Sequence, residues 1–104
     1  MPFERPLLPA DLGIETGRLA QLRGTIAFDG QKMTVFIEMI EGRSQLTVRE
    51  IRGLVPSLVR RANEVDASTL RVEASIANEE LLNLARHAGF HSAGAIEFLE
   101  LSVP

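Results

Sequence analysis

The chain has 104 residues, of which 45% are hydrophobic and 24% are charged, and its formal net charge is −3. This length suits one folded domain, and the acidic balance argues against a general binder of nucleic acids or anionic membranes. The sequence contains no Cys, Trp or Tyr, which excludes disulfides, thiolate metal sites, a cysteine nucleophile and the usual base-stacking aromatic residues.

The N-terminal segment contains three prolines and no unbroken apolar run. We expect residues 1–17 to form an extended, Pro-rich lead-in with a break at Gly13, followed by a single domain over residues 18–104. The segment does not match a signal peptide, and no apolar run in the chain approaches the length of a membrane span. We therefore expect a cytoplasmic protein that makes no membrane contact.

A β-hairpin is predicted next. Residues 18–28 alternate between apolar and polar side chains, and Gly24 suggests a bulge within that strand. Asp29-Gly30 is typical of a two-residue hairpin turn in which both residues have positive φ. The following strand, residues 31–42, is apolar on both faces, as expected of a central strand that is covered on both sides.

The first predicted helix has a clear start. Thr47 and Glu50 have the spacing of a capping box, in which each side chain binds the backbone amide of the other. An apolar stripe at helical spacing follows, formed by Ile51, Leu54, Val55, Leu58, Val59, Ala62 and Val65. Pro56 interrupts the stripe, so it either kinks one helix or begins a second.

The C-terminal third predicts a strand, a helix and a strand. Residues 69–77 alternate, Asn78 is suited to cap a second helix that Gly89 ends, and residues 95–103 form an apolar last strand. The predicted fold is an α/β domain with a mixed sheet of about four strands and two helices, in the order strand-strand-helix-strand-helix-strand. The two strands that flank the first helix should be parallel.

Residues 67–90, "ASTLRVEASIANEELLNLARHAGF", resemble the C-terminal half of the GNAT acetyltransferase superfamily. That family has a strand followed by a helix of the pattern N-x-x-A-x-x-x-Y-x-x-x-G-F. The matching positions here are Leu70, Val72, Asn78, Leu81, Gly89 and Phe90. The resemblance covers about two thirds of the chain, and it implies a GNAT-like fold.

Two departures concern the chemistry that the resemblance would imply. The family's glycine-rich motif, which holds the acyl-CoA pyrophosphate on bare amides at a helix start, aligns with residues 46–51, where no glycine occurs. The family's frequent Tyr, which protonates the leaving thiolate, aligns with Ala85. The N-terminal elements of the acceptor pocket and the family's further C-terminal strand also have no counterpart in this sequence.

A few residues remain as candidates for a site. Arg43, Arg49 and Arg52 gather near the start of the first helix and could hold a phosphate or carboxylate, with Asn78 as a further cofactor-binding candidate, although a solvated face with Glu50 and Glu41 as partners is the simpler explanation. Glu38 and Glu41 lie where a general base sits in some acetyltransferases, but a structural role is the simpler explanation. His87 and His91 have no convincing third ligand, so we predict no metal site.

The expected function is therefore non-catalytic. We expect a small protein-interaction or regulatory domain with no cofactor, in which a homodimer contact or a protein partner at a sheet edge covers the apolar last strand. The alternative is an acetyl-CoA-dependent N-acetyltransferase with an atypical cofactor site. A STAS domain is a rival at the level of fold only, because its phosphorylated loop has no counterpart here.

Overall fold

The computed structural model describes residues 1–74, 91–92 and 98–103, and they form an α/β fold. Six strands make one mixed sheet in the order β1-β2-β3-β4-β6-β5. The strands are β1 (Phe3–Pro6), β2 (Leu19–Phe28), β3 (Lys32–Gly42), β4 (Thr69–Ala74), β5 (His91–Ser92) and β6 (Phe98–Ser102). In the described residues, one α-helix, α1 (Val48–Glu64), and two short 3-10 turns, Pro9–Leu12 and Thr16–Arg18, lie between the strands.

The β2–β3 hairpin is confirmed, but its turn differs from the prediction. Phe28 pairs with Met33, so the turn is longer than two residues. Gly30 has a φ of 104°, whereas Asp29 does not adopt positive φ. Asp29 instead accepts hydrogen bonds on its carboxylate from the amides of Gln31 at 2.9 Å and Lys32 at 2.8 Å, and these bonds lower its pKa. The Asp therefore acts through its side chain rather than through a left-handed backbone.

A bulge lies at Gly24, but its extra residue belongs to the partner strand β3 and not to the strand that contains Gly24. Arg23 pairs with Met39 and Gly24 with Ile37, which leaves Glu38 of β3 as the extra residue. A Cβ at position 24 would collide with the carbonyl oxygen of Phe36, so the two backbones approach here as only glycine allows.

Helix α1 begins at the predicted capping box and continues through Pro56 as one helix. Its buried residues Leu54, Val55, Leu58 and Ala62 belong to the predicted apolar stripe. The end of the helix was not foreseen. Asp66 has a φ of 58°, and the amides of Asp66 and Ala67 donate to the carbonyls of Asn63 and Ala62 at 3.2 and 2.9 Å. This is a Schellman motif with Asp at the position that glycine usually takes.

β3 and β4 flank α1 in sequence and are parallel, as predicted, with Lys32 paired to Thr69 and Ile37 to Ala74. β6 runs antiparallel to β4. The predicted second helix, including Asn78 and Gly89, lies outside the described residues, so the two-helix GNAT-like order stays a prediction.

The last strand does not form the edge of the sheet, because the short strand β5 lies beyond it. β6 pairs with β4 on one side, and Leu99 and Glu100 of β6 pair with β5 on the other. The short β5 was missed because two residues carry no recognisable pattern.

Residues 1–17, expected to precede the domain, contribute to it. β1 pairs with β2 from Phe3 opposite Phe28 to Pro6 opposite Thr25. Leu7, Leu12 and Ile14 are buried. Gly13 does form the expected break, with a φ of 71° at the end of the first 3-10 turn.

One hydrophobic core joins these elements. Its fully buried side chains include Leu12, Ile26, Met33, Val35, Leu58 and Leu70, which come from the N-terminal segment, β2, β3, α1 and β4. The alternation of β3 places Met33, Val35 and Ile37 in this core, while Phe36 between them is half-buried.

Candidate functional site

The start of α1 is the place where the GNAT resemblance implies a cofactor, and two of its backbone amides, those of Thr47 and Glu50, are satisfied by the chain itself. The hydroxyl of Thr47 accepts a hydrogen bond from the amide of Glu50 at 3.1 Å. The carboxylate of Glu50 accepts one from the amide of Thr47 at 2.9 Å. This reciprocal arrangement occupies amide donors that are otherwise available to an anion at a helix start.

Arg18 forms further hydrogen bonds at this helix start. Its Nε and Nη2 atoms donate to the two carboxylate oxygens of Glu50, each at 2.8 Å. Its Nη1 atom donates to the hydroxyl of Ser44 at 2.9 Å. The guanidinium therefore joins the segment before β2 to the first turn of α1 by a bidentate ion pair, which is the strongest geometry for such a contact, and to the preceding loop through Ser44. Sequence reasoning missed Arg18, since it lies 32 residues from Glu50.

The charge of this cluster is fixed at neutral pH. The hydrogen bonds from Arg18 and from the amide of Thr47 lower the pKa of Glu50 to about 2. The same ion pair raises the pKa of Arg18. Glu50 thus places a permanent negative charge at the positive end of the helix, where the helix dipole favours it.

A groove of about 540 Å³ runs beside this cluster. It is lined by Gly13, Ile14, Glu15, Arg18, Thr47, Arg49, Glu50 and Gly53. Of the predicted cofactor-binding residues, Arg49 lines the groove, whereas Arg43 and Arg52 are exposed and do not line it. Asn78 lies outside the described residues. The groove contains two arginines and two glutamates, so it offers no excess of positive charge to a diphosphate.

The two candidate bases lie on the second half of β3, and both are exposed. Glu38 is the extra residue at the β3 bulge, and Glu41 pairs with Gln21 across the hairpin. Neither residue lines the groove beside α1. The structure therefore does not bring the candidate bases and Arg49 together in that groove.

A further charged cluster was not predicted. The carboxylate of Asp11, whose side chain is 1% exposed, accepts two hydrogen bonds from Arg5 at 2.8 Å and one from Nε of Arg61 at 3.1 Å. The amide of Leu8 donates a fourth hydrogen bond to it at 2.8 Å. Burial opposes ionisation of Asp11, but the hydrogen bonds from Arg5 and Leu8 and the charges of both arginines lower its pKa overall. This cluster fastens β1 and the first 3-10 turn to the last turns of α1.

Among the described residues, no group of three or more His, Cys, Asp or Glu side chains could hold a metal ion. No helix in the same part of the chain is long and apolar enough to cross a membrane.

Comparison with known proteins gave no match. No family model, no curated protein and no solved structure matches the chain.

Proposed function

We propose that the chain is a non-catalytic protein-interaction or regulatory domain with an acetyltransferase-like arrangement of strands and helix. The proposal is supported chiefly by the occupied start of α1. The amides of Thr47 and Glu50 are already hydrogen-bonded to side chains of the same turn. A cofactor held in the manner of the GNAT superfamily would need such amides to be free.

Electrostatics supports the same reading. With a pKa of about 2, Glu50 is negatively charged at neutral pH and would repel an incoming diphosphate. Arg18 offsets the charge of Glu50, but its Nε and Nη2 donors are committed to the Glu50 carboxylate and are not free to bind a diphosphate. The chain's own glutamate thus takes the place that the cofactor's phosphates occupy in the family it resembles.

The last strand does not provide the sheet edge at which we expected a partner to bind. That expectation depended on an uncovered last strand, and β6 has β4 and β5 as neighbours. The other edge strand, β1, contains Glu4, Arg5 and Pro6. Charged residues and proline on an edge strand discourage pairing with another chain. A homodimer therefore stays a proposal without a sheet edge that favours it.

The acetyltransferase alternative is favoured by one feature. β3 continues beyond Ile37, its last pair with β4, and Glu38 follows at once as the extra residue of a bulge. Bulges often redirect side chains beside active sites. An acetyl-CoA site at the C-terminal ends of β3 and β4 would place Glu38 near the acyl group.

Calorimetric titration with acetyl-CoA at low salt separates the two functions. We expect no binding by the wild-type protein at millimolar ligand. Micromolar binding that Arg49→Ala weakens would refute the non-catalytic proposal. The variant Glu50→Gln is the informative companion, because it removes the repelling charge and keeps the side-chain length. If Glu50 is what excludes the cofactor, Glu50→Gln should bind acetyl-CoA more tightly than the wild type does.

A further inference from the structure

The solvent side of α1 carries three arginines on one face. Arg49, Arg52 and Arg60 are all exposed and recur at intervals that place them along the same side of the helix. We call this surface the arginine face; it consists of Arg49, Arg52, Gly53, Pro56, Arg60 and Asn63. It contains no acidic residue. Glu64 borders it and is paired with Arg61 at 3.0 Å.

These three arginines differ from three others that the structure describes. Arg5, Arg18 and Arg61 each form an ion pair with a carboxylate. Arg49, Arg52 and Arg60 form no side-chain hydrogen bond or ion pair with any residue in the described ranges 1–74, 91–92 and 98–103. Acidic residues outnumber basic ones in the chain, 14 to 11, so the missing pairs do not reflect a shortage of carboxylates.

Their placement also works against the helix. Arg49 lies in the first turn, where a positive charge opposes the helix dipole. Arg49 and Arg52 are three residues apart, a spacing at which like charges destabilise a helix. Local stability therefore gives no reason for this pattern, and such conflicts are expected where a surface serves binding.

The middle of the arginine face contains two poor helix formers. Pro56 is exposed within the helix, and Gly53 precedes it by three residues. A Cβ at Gly53 would meet no atom within 4 Å, so packing does not require glycine there. The helix surface between Arg52 and Arg60 therefore has small side chains, and the backbone of a bound chain can approach it there.

We propose that the arginine face binds an acidic segment of a partner protein, and this rests on the proposed function as an interaction domain. Arg49 and Arg60 are separated by eleven residues, about 16 Å along the helix axis. An extended segment of about five residues spans that distance, and its carboxylates suit the planar donor fork of arginine. A nucleic acid fits less well, because the chain offers no Trp or Tyr on which bases could stack.

The test is fluorescence anisotropy with a labelled oligoglutamate peptide of about ten residues, which is long enough to span the face. The variant Arg49→Gln/Arg60→Gln removes two charges from the arginine face. The control Arg23→Gln/Arg43→Gln removes two charges from exposed positions outside it, so both proteins have the same net charge. We expect the wild type and the control to bind alike, and the arginine-face variant to bind about tenfold more weakly.

Several results would overturn the inference. Equal losses in the two double variants would show a general charge effect. Tighter binding to a single-stranded oligonucleotide of equal charge would assign the face to nucleic acid. Self-association that the arginine-face variant abolishes, measured by sedimentation, would assign it to a second copy of the chain. An absence of peptide binding refutes the acidic partner alone, whereas acetyl-CoA binding in the titration above refutes the proposed function, so the two failures are distinguishable.

Discussion

Replacing Asp11 by Asn keeps the size of this buried side chain and removes its charge. The carboxylate accepts two hydrogen bonds from Arg5, one from Arg61 and one from the amide of Leu8. The amide oxygen of Asn can still accept a hydrogen bond. Its NH₂ group, however, is a donor, and it would face a guanidinium N–H instead of accepting from it. The substitution therefore breaks at least one charge-assisted contact and leaves two arginines without their counter-charge.

The expected loss in free energy of unfolding depends on how exposed Arg5 and Arg61 are. Breaking a fully buried ion pair costs about 3–5 kcal/mol. The side chains of Arg5 and Arg61 remain 38% and 35% exposed, so water can replace part of what they lose. We therefore expect Asp11→Asn to lower the free energy of unfolding by about 2 kcal/mol, which corresponds to a fall of about 10 °C in Tm for a domain of this size.

Chemical denaturation at pH 7 and thermal melting monitored by circular dichroism measure this loss. Glu4→Gln is the matched control, since it removes one carboxylate from an exposed position of β1, the strand that contains Arg5. Its effect should be within about 0.5 kcal/mol of zero. The pKa of Asp11 is lowered in the folded chain, so its contribution is present above the ordinary value of 3.8 and is lost as the pH falls below it. If Asp11→Asn were no more destabilising than Glu4→Gln, the reasoning about this cluster would be refuted.

Four further outcomes are expected. The wild type should lose stability as the pH falls from the usual Glu pKa of 4.5 towards about 2, and Glu50→Gln should lack that part of the pH profile in urea titrations. Pro56→Ala restores a helical amide on an exposed surface and should raise the free energy of unfolding by about 1–3 kcal/mol; a loss would show that the proline serves packing. Gly24→Ala should destabilise the hairpin by more than about 1 kcal/mol, because its Cβ meets the carbonyl of Phe36, and an unchanged Tm would contradict that close approach. Asp66→Gly should add up to about 1 kcal/mol by relieving the left-handed backbone at the end of α1, a gain that Asp66→Ala should not share.

Local signals in the sequence were reliable where neighbouring residues decide the structure. Thr47 and Glu50 predicted the start of α1 because a capping box is complete within four residues. Gly24 indicated an irregular place in the hairpin, but the extra residue lies on the partner strand β3. Asp29-Gly30 predicted the hairpin but not its turn, since the Asp side chain offers the backbone an alternative to the left-handed conformation.

What could not be predicted depends on residues that meet only in the folded chain. Asp11 lies in a Pro-rich segment that looks peripheral, and its burial requires Arg61, 50 residues away. The order of the strands also could not be predicted, because nothing in the sequence pattern of β6 shows that β5 pairs with its outer side. At the candidate site, the missing glycine motif was visible in the sequence, whereas the ion pair of Arg18 with Glu50 was not.

The attachment of β1 also has a consequence for synthesis on the ribosome. β1 is made before every residue that holds it: its pairing partners Thr25–Phe28 come more than 15 residues later, and Arg61 comes 50 residues after Asp11. At a synthesis rate of about 5–20 residues per second, β1 stays unpaired for several seconds, and Phe3 and the adjacent Leu7 are uncovered during that time. Glu4, Arg5 and the prolines on either side lower its tendency to pair with other nascent chains during that interval. The residues that make β1 a poor edge for partners in the folded protein thus also protect it while it is still unpaired.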